Sequence, residues 1–211
     1  MKDLSPKHKQ IIYIIIGIVA VAIICVGVFQ YSSSKNNENM LEASTSYQKA
    51  LIANENPNIS TANKIAKFES VTKLYSNTSY GILASWQIAD LYSTPEKLDS
   101  SKKALNDDDN KAIQVLLKST SDNPNDDLTN ITKTKLAKLY IQTNQVDEAI
   151  KSLQSLPNLD NNAYPLMILG QAYAQQGDKA KALQTWKKAI QDPNSTPEFK
   201  QVISQFINNT N

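Results

Sequence analysis

The sequence predicts an all-α protein: a single N-terminal transmembrane helix, then an α-solenoid of short helical hairpins closed by a C-terminal capping helix. Three observations predict it. An uncharged apolar run fills Ile11–Phe29. Beyond it, apolar residues recur with the period of a helix, and no alternating run of strand residues is found. In the second half, one stretch repeats another at a fixed shift of thirty-three residues.

The apolar run IIYIIIGIVAVAIICVGVF, at about 1.5 Å per helical residue, nearly crosses a hydrocarbon layer about 30 Å thick. A buried helix of a water-soluble domain would show a polar face, and this one shows none. Tyr13 and Tyr31 stand near its ends, where aromatic belts sit. The run is longer than the apolar region of a cleaved signal, and Val28-Phe29-Gln30-Tyr31 offers no small-x-small exit. Lys2, Lys7 and Lys9 precede it and only Lys35 follows closely, so the short N-terminus stays in the cytoplasm and the rest lies outside. This divides the chain into a tail (1–10), a membrane helix (11–30), a polar spacer (31–39) and an extracytoplasmic domain (40–211).

The helices of that domain follow in order. Met40, Ala43, Tyr47, Ala50 and Leu51 share a face of the first; Ala62, Ile65, Phe68 and Val71 share one of the second. Gly81 to Tyr92 makes a third, with Leu83, Trp86, Ile88, Ala89 and Tyr92. Lys135–Leu153 and Leu169–Trp186 then match. Leu136, Ala137, Tyr140, Ala149 and Leu153 align with Leu169, Gly170, Tyr173, Ala182 and Trp186, each thirty-three residues on. This is close to the 34-residue tetratricopeptide period, in which two antiparallel helices bury their shared face only against neighbouring hairpins. The clearest repeats are 130–157 and 163–196. A partial repeat, 81–119, carries an insertion at 93–111 and resumes with Ala112 and Leu116.

The small residues Ala89, Ala137 and Gly170 are expected where a neighbouring helix approaches most closely. Gly inside a helix costs about 1 kcal/mol relative to Ala, so Gly170 calls for such a packing reason. Asn144-Gln145 and Gly177-Asp178 read as turns with a left-handed residue. Pro157, Pro193 and Pro197 mark exits between hairpins. Thr196-Pro197-Glu198 begins a last helix, with Phe199, Val202, Ile203 and Phe206 to close the open end of the stack. Thr94-Pro95-Glu96 opens the insertion with the same capping logic.

The wider layout resembles the bacterial ancillary SecYEG translocon subunit family. The resemblance rests on SYQKAL (46–51), AKFESVTKLYSNTSYGILASWQIADLY (66–92), KLAKLYIQTNQVDEAIKSL (135–153) and GDKAKALQTWKKAI (177–190), together with the anchor. It implies a single-pass protein of the bacterial inner membrane with a cytoplasmic N-terminus and a periplasmic tetratricopeptide-like domain. It further implies association with the SecYEG translocon and with a membrane-anchored periplasmic chaperone resembling a prolyl isomerase, and assistance to exported client proteins leaving the channel. A scaffold for envelope assembly or cell division, with no export role, is the alternative from a different functional class.

Composition excludes several other classes. All 22 basic residues are Lys, so the planar guanidinium favoured for phosphate recognition is missing and no nucleic-acid partner is expected. The only His is His8 and the only Cys is Cys25, which leaves the domain without an imidazole base, a thiol nucleophile or soft metal ligands. No enzymatic activity, metal or cofactor is expected. Asp107–Asp109, with Asp122, Asp126 and Asp127, lack EF-hand spacing and read as a solvated acidic loop. Lys102-Lys103 and Lys187-Lys188 read as solvated helix faces.

The first helices of tetratricopeptide hairpins line a concave face where peptides bind. Here that face carries Leu83, Trp86 and Asp90; Ile131, Thr134, Lys138 and Ile141; and Tyr164, Met167 and Gln171. Apolar anchors among polar groups suit a partner segment, and Met adapts to varied shapes. Either a partner enters this groove or the terminal helices of the chain fill it. Trp86 is correspondingly a contact residue or a core filler.

Overall fold

In a computed structural model the chain is described over residues 38–93, 106–124 and 126–210. The expected tail, the membrane helix 11–30, most of the spacer and Thr94-Pro95-Glu96 lie outside the described residues. No helix among the described residues is long and apolar enough to cross a membrane.

The described residues are helical, without strands. Helix α1 covers residues 38–55. It is followed by α2 (Thr61–Leu74), α3 (Ser79–Tyr92), α4 (Asp107–Asp122), α5 (Asp127–Gln142) and α6 (Val146–Gln154). A 3₁₀ turn, Leu159–Asn161, leads into α7 (Ala163–Gln176), α8 (Lys179–Gln191) and α9 (Pro197–Thr210). Each helix from α2 onward packs on the next. In addition α3 touches α5 and α5 touches α7, so the first helices of successive hairpins form an inner row. Stacked hairpins of this kind are a solenoid.

Two apolar cores run through the stack. Ala50, Ile65, Phe68, Val71, Ala84 and Ile88 form the N-terminal one, between α1, α2 and α3. Tyr47 seals it, with its ring centroid 6.0 Å from that of Phe68 and 5.8 Å from that of Tyr80. The larger core extends from Ala89 to Ile203. Full burial of a side chain such as Phe68 or Leu153 contributes roughly 1.5–3 kcal/mol. Helix α9 closes the far end as expected. Ile203 is fully buried, the Phe206 ring stacks 5.5 Å from Trp186, and Thr196 Oγ1 accepts from Phe199 N–H at 3.3 Å.

The repeat is visible atom by atom. Gly170 lies against the Trp186 indole so closely that a Cβ would fall 2.7 Å from Cε2 and nearer still to Nε1. Asn144 (φ 60°) and Gly177 (φ 91°) occupy matching left-handed positions. After them, Gln145 N–H donates to Tyr140 O at 2.7 Å and Asp178 N–H to Tyr173 O at 2.9 Å. The shift of thirty-three residues thus extends to the hydrogen bonds that end both first helices.

Two expectations are corrected. Asp107–Asp109 are not a loop; they are the first turn of α4. Asn106 caps it and accepts from Asp109 N–H at 2.7 Å, while the Asp109 carboxylate accepts from Asn106 N–H at 3.3 Å. Three carboxylates at a helix N-terminus are favoured by its dipole, and Lys111 meets Asp107 at 2.5 Å. Ala62 is exposed, outside the buried face made by Ile65, Phe68 and Val71.

Candidate interaction groove

Helix α5 positions the site. Its neighbours α3 and α7 flank it on the inner row. Between α5 and α7, under the connection that follows α6, lies a groove of about 500 Å³. Asn130, Ile131, Thr134, Lys135 and Lys138 form the α5 wall; Tyr164 and Pro165 begin the α7 wall; Leu156, Pro157, Leu159 and Asn162 join them. The α5 members fall at i, i+1, i+4, i+5 and i+8, which is one helix face. Ile131 is 50% exposed and Tyr164 44%, and the two stand in one groove.

Four of the ten residues expected on the concave face meet here: Ile131, Thr134, Lys138 and Tyr164. Thr134 is buried, and its hydroxyl donates to Asn130 O at 3.0 Å, so it offers floor rather than a polar contact. Lys138 also borders a second hollow, with Asp90, Leu139 and Gln142.

The other members lie elsewhere. Met167 is buried in the main core, and its carbonyl accepts from the Trp186 indole N–H at 3.0 Å. The reach of Trp186 across the hairpin ties this turn of α7 to α8 instead of the groove. Ile141 is half-buried against the same core, while its carbonyl accepts from Gln175 at 3.1 Å. Leu83 and Gln171 are half-buried, outside the groove lining.

Trp86 joins α3 to α5. Its indole N–H donates to Thr132 Oγ1 at 2.8 Å, and Thr132 in turn donates to Leu128 O at 2.9 Å. The Lys135 ammonium sits 5.6 Å from the Trp86 ring centroid and 3.3 Å from the Asp90 carboxylate. Trp86 is thus part of the packing between hairpins, and Asp90 holds the lysine placed over it. A partly exposed cation–π contact of this kind contributes about 0.5–1 kcal/mol.

The sequence reading missed Asn130, Lys135 and the connection Leu156–Asn162. Lys135 follows Ile131 by four residues, so helical spacing was a signal for it; the connection carried none. Among the described residues none from α1 or α9 lines the groove, and the Phe199 ring of α9 stands 6.3 Å from the Tyr164 ring.

The N-terminus of α7 is held from a distance. Asn162 supplies no side-chain cap, and the Asp192 carboxylate, from the end of α8, accepts from Ala163 N–H at 3.1 Å. Hydrogen bonds from Asn194 and Ala163 N–H keep the Asp192 carboxyl below its ordinary pKa. The other acids seen in sequence have comparable local tasks. Asp126 caps α5 by accepting from Leu128 N–H at 2.9 Å, and Asp122 pairs with Lys118 at 2.7 Å. Among the described residues no His, Cys, Asp or Glu cluster is arranged to hold a metal.

The family model described as a tetratricopeptide repeat-like domain matches residues 8–209. Three similar proteins carry the name ancillary SecYEG translocon subunit. The one from Escherichia coli (strain K12) is 24% identical, with 86% of this chain and 80% of the relative covered. That of Buchnera aphidicola is 26% identical, covering 97% and 96%. That of Aggregatibacter actinomycetemcomitans is 27% identical, covering 87% and 83%. The resemblance carried by the segments at 46–51, 66–92, 135–153 and 177–190 agrees with these matches.

Proposed function

The chain belongs to the tetratricopeptide repeat-like domain family, and from that premise we propose that it is a membrane-anchored, non-catalytic interaction protein docked at the SecYEG translocon. Residues 11–30 anchor it in the bacterial inner membrane with the N-terminus in the cytoplasm, and the solenoid stands in the periplasm. There it links exported proteins to a membrane-anchored chaperone resembling a prolyl isomerase. The names of three similar proteins support the translocon role. The charge asymmetry around Ile11–Phe29 supports the orientation.

The single observation that carries the reading is the open groove between α5 and α7, with Ile131 and Tyr164 exposed in it. A helical repeat that leaves two apolar anchors uncovered beside a concave wall is built to receive a segment of another protein. The anchor raises the local concentration of that surface beside the channel.

The test is site-specific photocrosslinking in living cells from positions 131 and 164. Adducts with translocon subunits and with a membrane-anchored chaperone are expected, and Ile131→Asp should remove them from position 164. Adducts only with envelope-synthesis or division proteins would sink the export role.

A further inference from the structure

On the reading of the α5–α7 groove as a docking site, we infer that its ligand is an extended protein segment with an apolar side chain and a carboxylate about three residues apart.

Charge indicates the carboxylate. Lys135 and Lys138 line the groove, and no Asp or Glu does so among the described residues. The two lysines are not equivalent. Asp90 holds the Lys135 ammonium at 3.3 Å. Lys138 is exposed and has no hydrogen bond or ion pair among the described residues. Lys138 is therefore the cation available to a ligand. A lone ammonium matches a side-chain carboxylate, whereas a nucleic acid would need a track of cations.

Apolar surface indicates the anchor. Ile131 and Tyr164 form opposite walls, with Leu156, Pro157 and Leu159 beside them. The volume of about 500 Å³ falls within the roughly 300–1,000 Å³ of ligand clefts. A helix about 10 Å wide occupies roughly 400 Å³ per turn, so little more than one turn would fit, whereas an extended strand fits along its length. Two side-chain amides support the extended form. Asn130 and Asn162 border the groove, and neither amide makes a hydrogen bond among the described residues. An amide offers donors and an acceptor together, which is what a peptide backbone presents.

The spacing follows from α5. Ile131 and Lys138 are seven residues apart, about 10 Å along a helix at 1.5 Å per residue. An extended chain advances about 3.3 Å per residue, so it covers that distance in roughly three.

The experiment uses the full-length chain in a non-ionic detergent and fluorescein-labelled Gly/Ser peptides read by anisotropy. One peptide carries Leu-x-x-Glu, a second Leu-x-x-Lys, a third Ser-x-x-Glu, and two more set Leu and Glu adjacent or six apart. The Leu-x-x-Glu peptide is expected to bind about tenfold more tightly than each of the others, the scale of one close charge pair or one buried side chain. Lys138→Glu should reverse the preference between glutamate and lysine peptides; Lys187→Glu, on the exposed face of α8, should not. Equal binding of the two, or equal effects of the two substitutions, would overturn the inference. Self-association in sedimentation that Lys138→Glu abolishes, with no peptide preference, would assign the groove to a second copy and overturn it too. If Ile131→Asp weakens every peptide while Lys138→Glu changes nothing, the acidic preference fails and the docking site stands. If neither substitution matters, the docking site fails as well.

Discussion

The hairpins α5–α6 and α7–α8 repeat one packing with different side-chain pairs. At matching positions the first pairs Ala137 with Leu153 and the second Gly170 with Trp186; all four residues are buried. In both the second helix supplies the larger side chain; in the C-terminal hairpin it supplies an indole, and the first helix has given up its Cβ to receive it. The repeat therefore fixes which helix supplies the bulk and leaves open how large the small partner beside it is. The same contrast holds at the turns, where Asn144 and Gly177 reach one left-handed conformation with different side chains.

The largest expected break in this comparison is Trp186→Ala. The indole fills the space beside Gly170, bonds to Met167 O and stacks on Phe206, so its loss should destabilise by about 3–5 kcal/mol. Leu153→Ala, without a polar partner, should fall nearer the lower end of the roughly 2–5 kcal/mol range for aliphatic truncations. Urea unfolding followed by far-ultraviolet circular dichroism measures both. A Leu153 variant weaker than the Trp186 variant would invert the ranking.

Gly170→Ala should cost roughly 1–3 kcal/mol, because the added methyl meets the rigid indole and overpacking outweighs the gain in helix propensity. Ala137→Gly should cost about 1 kcal/mol for a different reason, since it only loosens the backbone and leaves a small gap. The sharper experiment combines Gly170→Ala with Trp186→Leu, which recreates the pair of the preceding hairpin. The double variant should be more stable than the sum of the single effects indicates. Strict additivity would show that the two positions do not share one volume.

At the turns, Gly177→Ala should cost about 1–2 kcal/mol, the penalty of a left-handed L-residue. Asn144→Gly should stay within about 0.5 kcal/mol, since an easier backbone is offset by losing the bond from Gln175 to the Asn144 side chain at 3.2 Å. Equal losses at both turns would remove the distinction between them.

These contrasts also explain what was legible in the sequence. Gly170, Trp186, Asn144 and Gly177 could be read because each answers a local demand, a close crossing or a positive φ, repeated at a fixed interval. Asn106 and Asp109 were legible too, as a capping box, but the charge of the run obscured its spacing. Met167 could not be placed. It follows Tyr164 by three residues and shares its face by helical period, yet the indole reaching Met167 O is a fact about α8. The groove was half legible for the same reason: Ile131, Thr134 and Lys138 follow from one helix, whereas Leu156, Pro157 and Asn162 come from the path of a connection. Trp86 fitted both readings until Thr132 and Asp90 were seen around it.

The smallest expected effect concerns how the two first helices begin. Asp126 caps α5 from the adjoining residue, whereas Asp192 caps α7 across a full hairpin. A non-local cap couples the start of α7 to the end of α8, so its loss should loosen two elements together. The Asp192 carboxyl is held below its ordinary value of 3.8 by N–H groups of Asn194 and Ala163. Its contribution is accordingly complete above pH 3.8 and is lost as pH falls through the lower folded value. Asp178, lowered chiefly by its hydrogen bond to Lys181, shares the same acid limb. Asp192→Asn keeps the shape and removes the titration. The variant should be slightly less stable at neutral pH and should approach the parent chain in acid, where the parent has lost the same charge. Hydrogen exchange should then rise at Ala163 and at Asn194 together, near neutral pH. Faster exchange at Asn194 alone would mean that α7 begins without help from Asp192.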